Sequence, residues 1–93
     1  MAKGSKTKNG KDAKKVLRDF IIRSYLPSSG LRKIEDSDSL MGTGVIDSTG
    51  VLELIAFIED RFHIIVEDEE IIPDNLDTIY KLVDFIRTKI EKK

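Results

Sequence analysis

Val51, Leu54, Ile55, Ile58 and Phe62 recur at i, i+3, i+4 and i+7 spacing, which puts them on one face of an α-helix. Such a stripe is stable only against another apolar surface, and 93 residues have room for a single core. Two further stripes can complete it. Val16, Leu17, Phe20, Ile21 and Ile22 repeat at helical spacing with Leu26 continuing the row, and Ile79, Leu82, Val83, Ile86 and Ile90 do the same further on. Pro27 and the Ser28-Ser29-Gly30 run are expected to end the first helix. Asp68 to Ile72 are expected to form a short third helix closed by Pro73. Asp77 is expected to cap the last helix, whose Arg87, Lys89, Lys92 and Lys93 suit the negative end of its dipole. His63-Ile64-Ile65-Val66 reads as a buried extended link, and no strand pair is convincing. The expected fold class is all-α, a four-helix bundle with a long first loop and a short third helix.

The long loop, Leu31 to Asp47, has turn residues but no sustained periodicity; Leu31, Ile34, Leu40 and Ile46 can anchor it across helix ends. The net charge of −1 conceals a division. Residues 1–15 hold six lysines against one aspartate, a net of +5, and the remainder carries −6. Residues 1–11, rich in Lys, Gly and Ser, are expected to be a disordered basic tail, with the folded domain spanning 12–93. The tail lacks interleaved aromatics and a second basic surface, so nucleic acid is not an expected partner. There is no cysteine, which removes disulfides and thiolate metal sites and fits a reducing, cytoplasmic location. No apolar run approaches the roughly 20 residues that span a bilayer, so no membrane insertion is expected. Nor does an apolar stretch follow the first lysines, as a secretory signal requires.

Spacing argues against catalysis. Ser48 and His63, the only histidine, sit at the two ends of one expected helix. Fifteen residues of helix separate them by roughly 22 Å, far beyond hydrogen-bond reach. Asp36-x-Asp38 resembles the start of a calcium loop, but Leu40 stands where the next oxygen ligand belongs. No Gly-rich phosphate loop with a following Lys is present. The chain is expected to be neither an enzyme nor a metal protein.

What remains is Gly44-Val45-Ile46-Asp47-Ser48-Thr49-Gly50, which ends the loop and opens the amphipathic helix. Asp47 and Ser48 are common helix-start residues. No capping box accompanies them, because position 50 is Gly and position 51 is Val. Gly50 in the first turn costs about 1 kcal/mol relative to Ala.

The run from Asp47-Ser48 through Leu54 to Phe62 resembles the Asp-Ser motif and second helix of acyl carrier proteins. The order of the other parts is similar too: a first helix, a long loop anchored by Leu40, the acidic Glu67-Asp68-Glu69-Glu70 segment and a last helix from Thr78 to Ile86. The resemblance covers roughly residues 12–90. It implies a four-helix acyl-carrier-like bundle in which Ser48 is joined to a 4′-phosphopantetheine arm taken from coenzyme A. The arm's thiol would carry acyl intermediates as thioesters between enzymes of lipid or polyketide-like biosynthesis. It further implies that Asp47 helps position the site for a phosphopantetheinyl transferase, and that an acyl-loading ligase or acyltransferase charges a freestanding monomer. A helix N-terminus suits the phosphate, since unpaired N–H groups point at it. Thr49 stands where fatty-acid carriers place Leu or Met, and Gly44 lies three residues before Asp47. Gly44-Val45-Ile46-Asp47-Ser48 followed by Gly50 resembles more closely carriers of D-alanine and specialised carriers, so an aminoacyl or D-alanyl carrier is the alternative, with an unmodified helical adaptor a third reading.

Thr49, Leu52, Glu53, Ala56, Glu59 and Asp60 fall at helical spacing on the side away from the core stripe. Leu52 is apolar yet faces outward among carboxylates. Asp47 to Ile72 hold eight acidic residues against Arg61 alone, a net of −7. These residues are the candidate docking face for basic patches on partner enzymes, an encounter that salt would weaken.

Overall fold

The computed structural model describes the backbone of residues 3–92 and the side chains of residues 13–91. Among the described residues the chain is all-α and has no strand. Its elements are α1 (Lys3–Ser24), α2 (Leu26–Ser29), α3 (Ser48–Phe62), a 3₁₀ turn (Asp68–Glu70), α4 (Pro73–Leu76) and α5 (Ile79–Lys92). The basic tail expected over residues 1–11 has its side chains outside the described residues, as do Lys92 and Lys93.

Five helices stand where four were expected, and prolines account for the difference. Pro27 does not end α1, which stops at Ser24; it lies in the first turn of α2, which Gly30 closes at φ 83°. Pro73 likewise opens α4 and closes nothing. A first helical turn has N–H groups with no intrahelical acceptor, so a residue without an N–H is tolerated there and its fixed φ suits the helix. The expected short third helix is thereby reduced to one 3₁₀ turn, held by reciprocal side chain–backbone bonds between Glu67 and Glu70. Asp77 ends α4 and does not cap α5. That cap is Thr78, whose Oγ1 accepts the Lys81 N–H at 3.0 Å.

α5 is the hub, packing against α1, α3 and α4. Leu17 and Ile21 from α1, Leu54 and Ile58 from α3, and Ile79, Leu82 and Ile86 from α5 are fully buried against one another. Each such side chain contributes about 1.5–3 kcal/mol relative to exposure. Phe85 is also buried, whereas Leu31, an expected anchor, is exposed.

The loop from residue 31 to 47 is held by polar ties as much as by its buried Ile34, Leu40, Val45 and Ile46. Lys14 Nζ and Arg18 Nη1 each lie 2.9 Å from the Asp36 carboxylate, and Arg18 also donates to the Ile34 carbonyl at 3.2 Å. The Lys14 hydrogen bond, joined by that of Arg18, holds the Asp36 carboxyl below the ordinary carboxylate range despite the opposing effect of burial. Further along, Asp77 accepts from Ser39 Oγ at 2.6 Å and from the Met41 N–H at 3.0 Å, while its carbonyl accepts the Leu40 N–H at 2.7 Å. The two acidic residues of the calcium-like pattern are thus committed inside the chain, Asp38 by accepting the Glu35 N–H at 2.8 Å.

Candidate functional site

Asp47 has extended backbone (φ −101°, ψ −175°), and its Oδ1 accepts the Gly50 N–H at 2.8 Å. Its carbonyl accepts the Val51 N–H at 3.0 Å, so Asp47 is the N-cap of α3 in full. Ser48 is the first helical residue. Its side chain and that of Thr49 are exposed, and no hydrogen bond among the described residues uses either residue's N–H. An exposed hydroxyl thus stands beside two unengaged donors at the positive end of a 15-residue helix. That arrangement suits a phosphate ester.

Gly50 acquires a packing reason that its sequence position did not suggest. A side-chain carbon there would lie 3.1 Å from Ile46 Cγ2, 3.3 Å from Asp47 Oδ1 and 3.4 Å from Tyr25 Cε1. Tyr25, at the corner between α1 and α2, donates its hydroxyl to Glu53 Oε1 at 2.9 Å. Burial first, and Glu53 second, push this phenol up to about 12. Sequence reasoning passed over Tyr25 because it belongs to no motif, although it follows Ile21 by four residues, at the spacing of the α1 stripe.

Two grooves flank Ser48. On one side Met41, Val51, Leu52, Ile71, Ile72 and Leu76 line an apolar cleft of about 280 Å³ that Ser48 itself borders. On the other, Tyr25, Ser28, Ser29, Asp47, Thr49 and Glu53 line a polar cleft of about 350 Å³. A larger groove of about 640 Å³ lies near His63 and Lys89, at the opposite end of α3. His63 follows α3 in the left-handed conformation (φ 58°), so helix length keeps it from Ser48 as the spacing predicts. No group of three or more histidine and acidic residues that could hold a metal occurs among the described residues.

The outward stripe of α3 divides in two. Thr49, Leu52, Glu53, Ala56 and Asp60 are exposed, Leu52 at 62 %, and Glu59 is half-buried. Glu53 is engaged by Tyr25, and Glu59 Oε2 accepts the Val66 N–H at 2.9 Å, tying the link after α3 back onto the helix. Ile64 and Val66 in that link are buried, but Ile65 is 70 % exposed. Of the acidic segment, Glu70 pairs with Lys89 at 2.9 Å, so its charge is partly offset within the chain. No described helix is long and apolar enough to cross a membrane. No family model matches the chain, and neither a curated protein nor a solved structure matches it at a significant level.

Proposed function

We propose that the chain is a freestanding carrier, modified with 4′-phosphopantetheine at Ser48, that moves acyl groups between enzymes of lipid or polyketide-like biosynthesis. One observation carries the reading: Ser48 presents an exposed hydroxyl at a helix N-terminus, on the rim of an apolar cleft of about 280 Å³. When bound, the arm would supply the thiol that this cysteine-free chain lacks, to hold an acyl group as a thioester. The chain's own residues would do the rest. Asp47 keeps the first turn capped, so that the Ser48 and Thr49 N–H groups face the phosphate. Met41, Leu52 and Ile72, all exposed, offer apolar surface to an arm and its cargo. The succession of a long first helix, an anchored loop, the Asp-Ser helix, a short turn region and a last helix supports an acyl-carrier-like bundle.

Phosphopantetheinyl transferase, an acyl-loading ligase or acyltransferase, and downstream enzymes with basic patches are the partners this reading entails. Thr49, Leu52, Glu53, Ala56, Glu59 and Asp60 would meet them, Glu53 and Glu59 each also accepting one hydrogen bond within the chain. An aminoacyl or D-alanyl cargo is the second reading, favoured by the polar cleft with its two carboxylates on the other side of Ser48.

The test is intact-mass measurement after incubation with coenzyme A and a broad-specificity phosphopantetheinyl transferase. The native chain should gain one phosphopantetheine and Ser48→Ala none. An unchanged native mass refutes the carrier reading, and a gain that persists in Ser48→Ala refutes the site. The mass of the thioester recovered from cells separates acyl from aminoacyl cargo.

A further inference from the structure

We infer that Tyr25 is a positioning residue for Ser48, one that fastens the first turn of α3 to the corner between α1 and α2; this rests on the carrier reading above. Ser48 sits at a helix terminus, where few contacts oppose fraying, and both its neighbours, Asp47 and Thr49, are exposed. Where its hydroxyl points therefore depends on what fixes the turn it begins. Tyr25 touches that turn in three ways. Its ring edge closes on buried Gly50, within 3.4 Å of where a side-chain carbon would stand. Its hydroxyl donates to Glu53 Oε1 at 2.9 Å and lies 3.4 Å from the Gly50 carbonyl.

Tyr25 is itself held in place. Phe20 of α1 meets its ring edge-on with centroids 5.7 Å apart, and Phe20 stacks on Phe57 of α3 at 4.0 Å and 7°. α1 and the corner after it thus grip α3 at two places, Phe20 on Phe57 and Tyr25 on the Gly50–Glu53 turn nearer Ser48. The phenol is protonated at neutral pH and so can donate this bond. Glu53, though exposed, accepts this hydrogen bond as well as carrying a charge that a partner could meet. These two roles separate cleanly, because glutamine keeps an acceptor oxygen and loses the charge.

The experiment measures kcat and KM for Ser48 modification of the full chain by one phosphopantetheinyl transferase. The variants are Tyr25→Phe, Glu53→Ala, Glu53→Gln and the Tyr25→Phe/Glu53→Ala double. Tyr25→Phe and Glu53→Ala should each lower kcat about five- to tenfold, with KM within about twofold, as expected for loss of one charge-assisted hydrogen bond. The double variant should fall no further than either single one, and Glu53→Gln should stay within about twofold of native. In the unmodified chain, Tyr25→Phe should speed amide exchange of Val51 to Leu54 about tenfold and leave α5 unchanged. Three results overturn the inference: losses that add in the double variant, a KM rise in Glu53→Gln beside a native-like Tyr25→Phe, or unchanged exchange in α3. A native chain that gains no mass removes the carrier reading by itself, and the exchange comparison then decides whether Tyr25 holds the turn.

Discussion

Replacing Gly50 by Ala sets two effects of known size against each other at the residue beside the site. Alanine is the better helix former, by about 1 kcal/mol in a helix interior. Its methyl would arrive 3.1 Å from Ile46 Cγ2, and Ile46, 2 % exposed, is enclosed by the core and has little room to move. The same methyl would stand 3.3 Å from Asp47 Oδ1, the atom that caps the helix, and 3.4 Å from the Tyr25 ring. Overpacking of this kind costs about 1–3 kcal/mol, and displacement of the cap forfeits part of a further ~1 kcal/mol. The net expectation is a loss of about 1 kcal/mol, which lowers Tm by about 4–8 °C in a chain this size. Thermal unfolding followed by far-ultraviolet circular dichroism, with a urea midpoint beside it, measures the difference. A Tm above native would refute the reasoning. It would mean that Ile46 and Tyr25 yield easily, and that the glycine is kept for something other than the packing of the folded chain.

Two other perturbations address the loop. Asp77→Ala removes the acceptor for Ser39 Oγ and the Met41 N–H, both partly open to water, and should cost about 2 kcal/mol in urea unfolding, of which Asp77→Asn recovers part. Asp36 has its carboxyl lowered by Lys14 and Arg18, so its stabilising contribution is present above the unfolded-chain value of about 3.9 and is lost as pH falls through the lower folded value. The stability gap between the native chain and Asp36→Asn should therefore hold steady from pH 7 to about 5 and shrink below about pH 4; a gap that closes near neutrality would contradict the geometry.

Much of this architecture was legible from periodicity. Leu54, Ile55 and Ile58 are buried as their spacing requires, and Asp47 caps α3, because both features depend on residues within one or two turns. The prolines were harder. Pro27 and Pro73 are equally compatible with stopping a helix and with starting one, and only the path of the chain on either side decides between them. Thr78 and Asp77 are both good caps, and Asp77 was drawn away by Ser39 and Met41, dozens of residues distant in sequence. The same remoteness hid Tyr25 and the commitment of Glu53, whereas Glu59 takes its donor from Val66, only seven residues on. A carboxylate on an outward helical face looks free until the fold brings a phenol or a backbone N–H to it.

The knot at Asp77 has a kinetic consequence. Its side-chain bonds to the loop close over separations of 36 and 38 residues, so they can form only after the chain has been made through the corner between α4 and α5. Helix α3 and its Asp47 cap can form earlier on local contacts, and Lys14 and Arg18 can already hold Asp36, but Ser39 and Met41 have no Asp77 to settle against until that corner is made. On a ribosome, the Ser39–Met41 stretch would therefore be among the last parts of the loop to take shape. The loop before Ser48 thus reaches its full set of ties only once α4 and the residue after it have been made, whereas the cap at Asp47 does not wait for them.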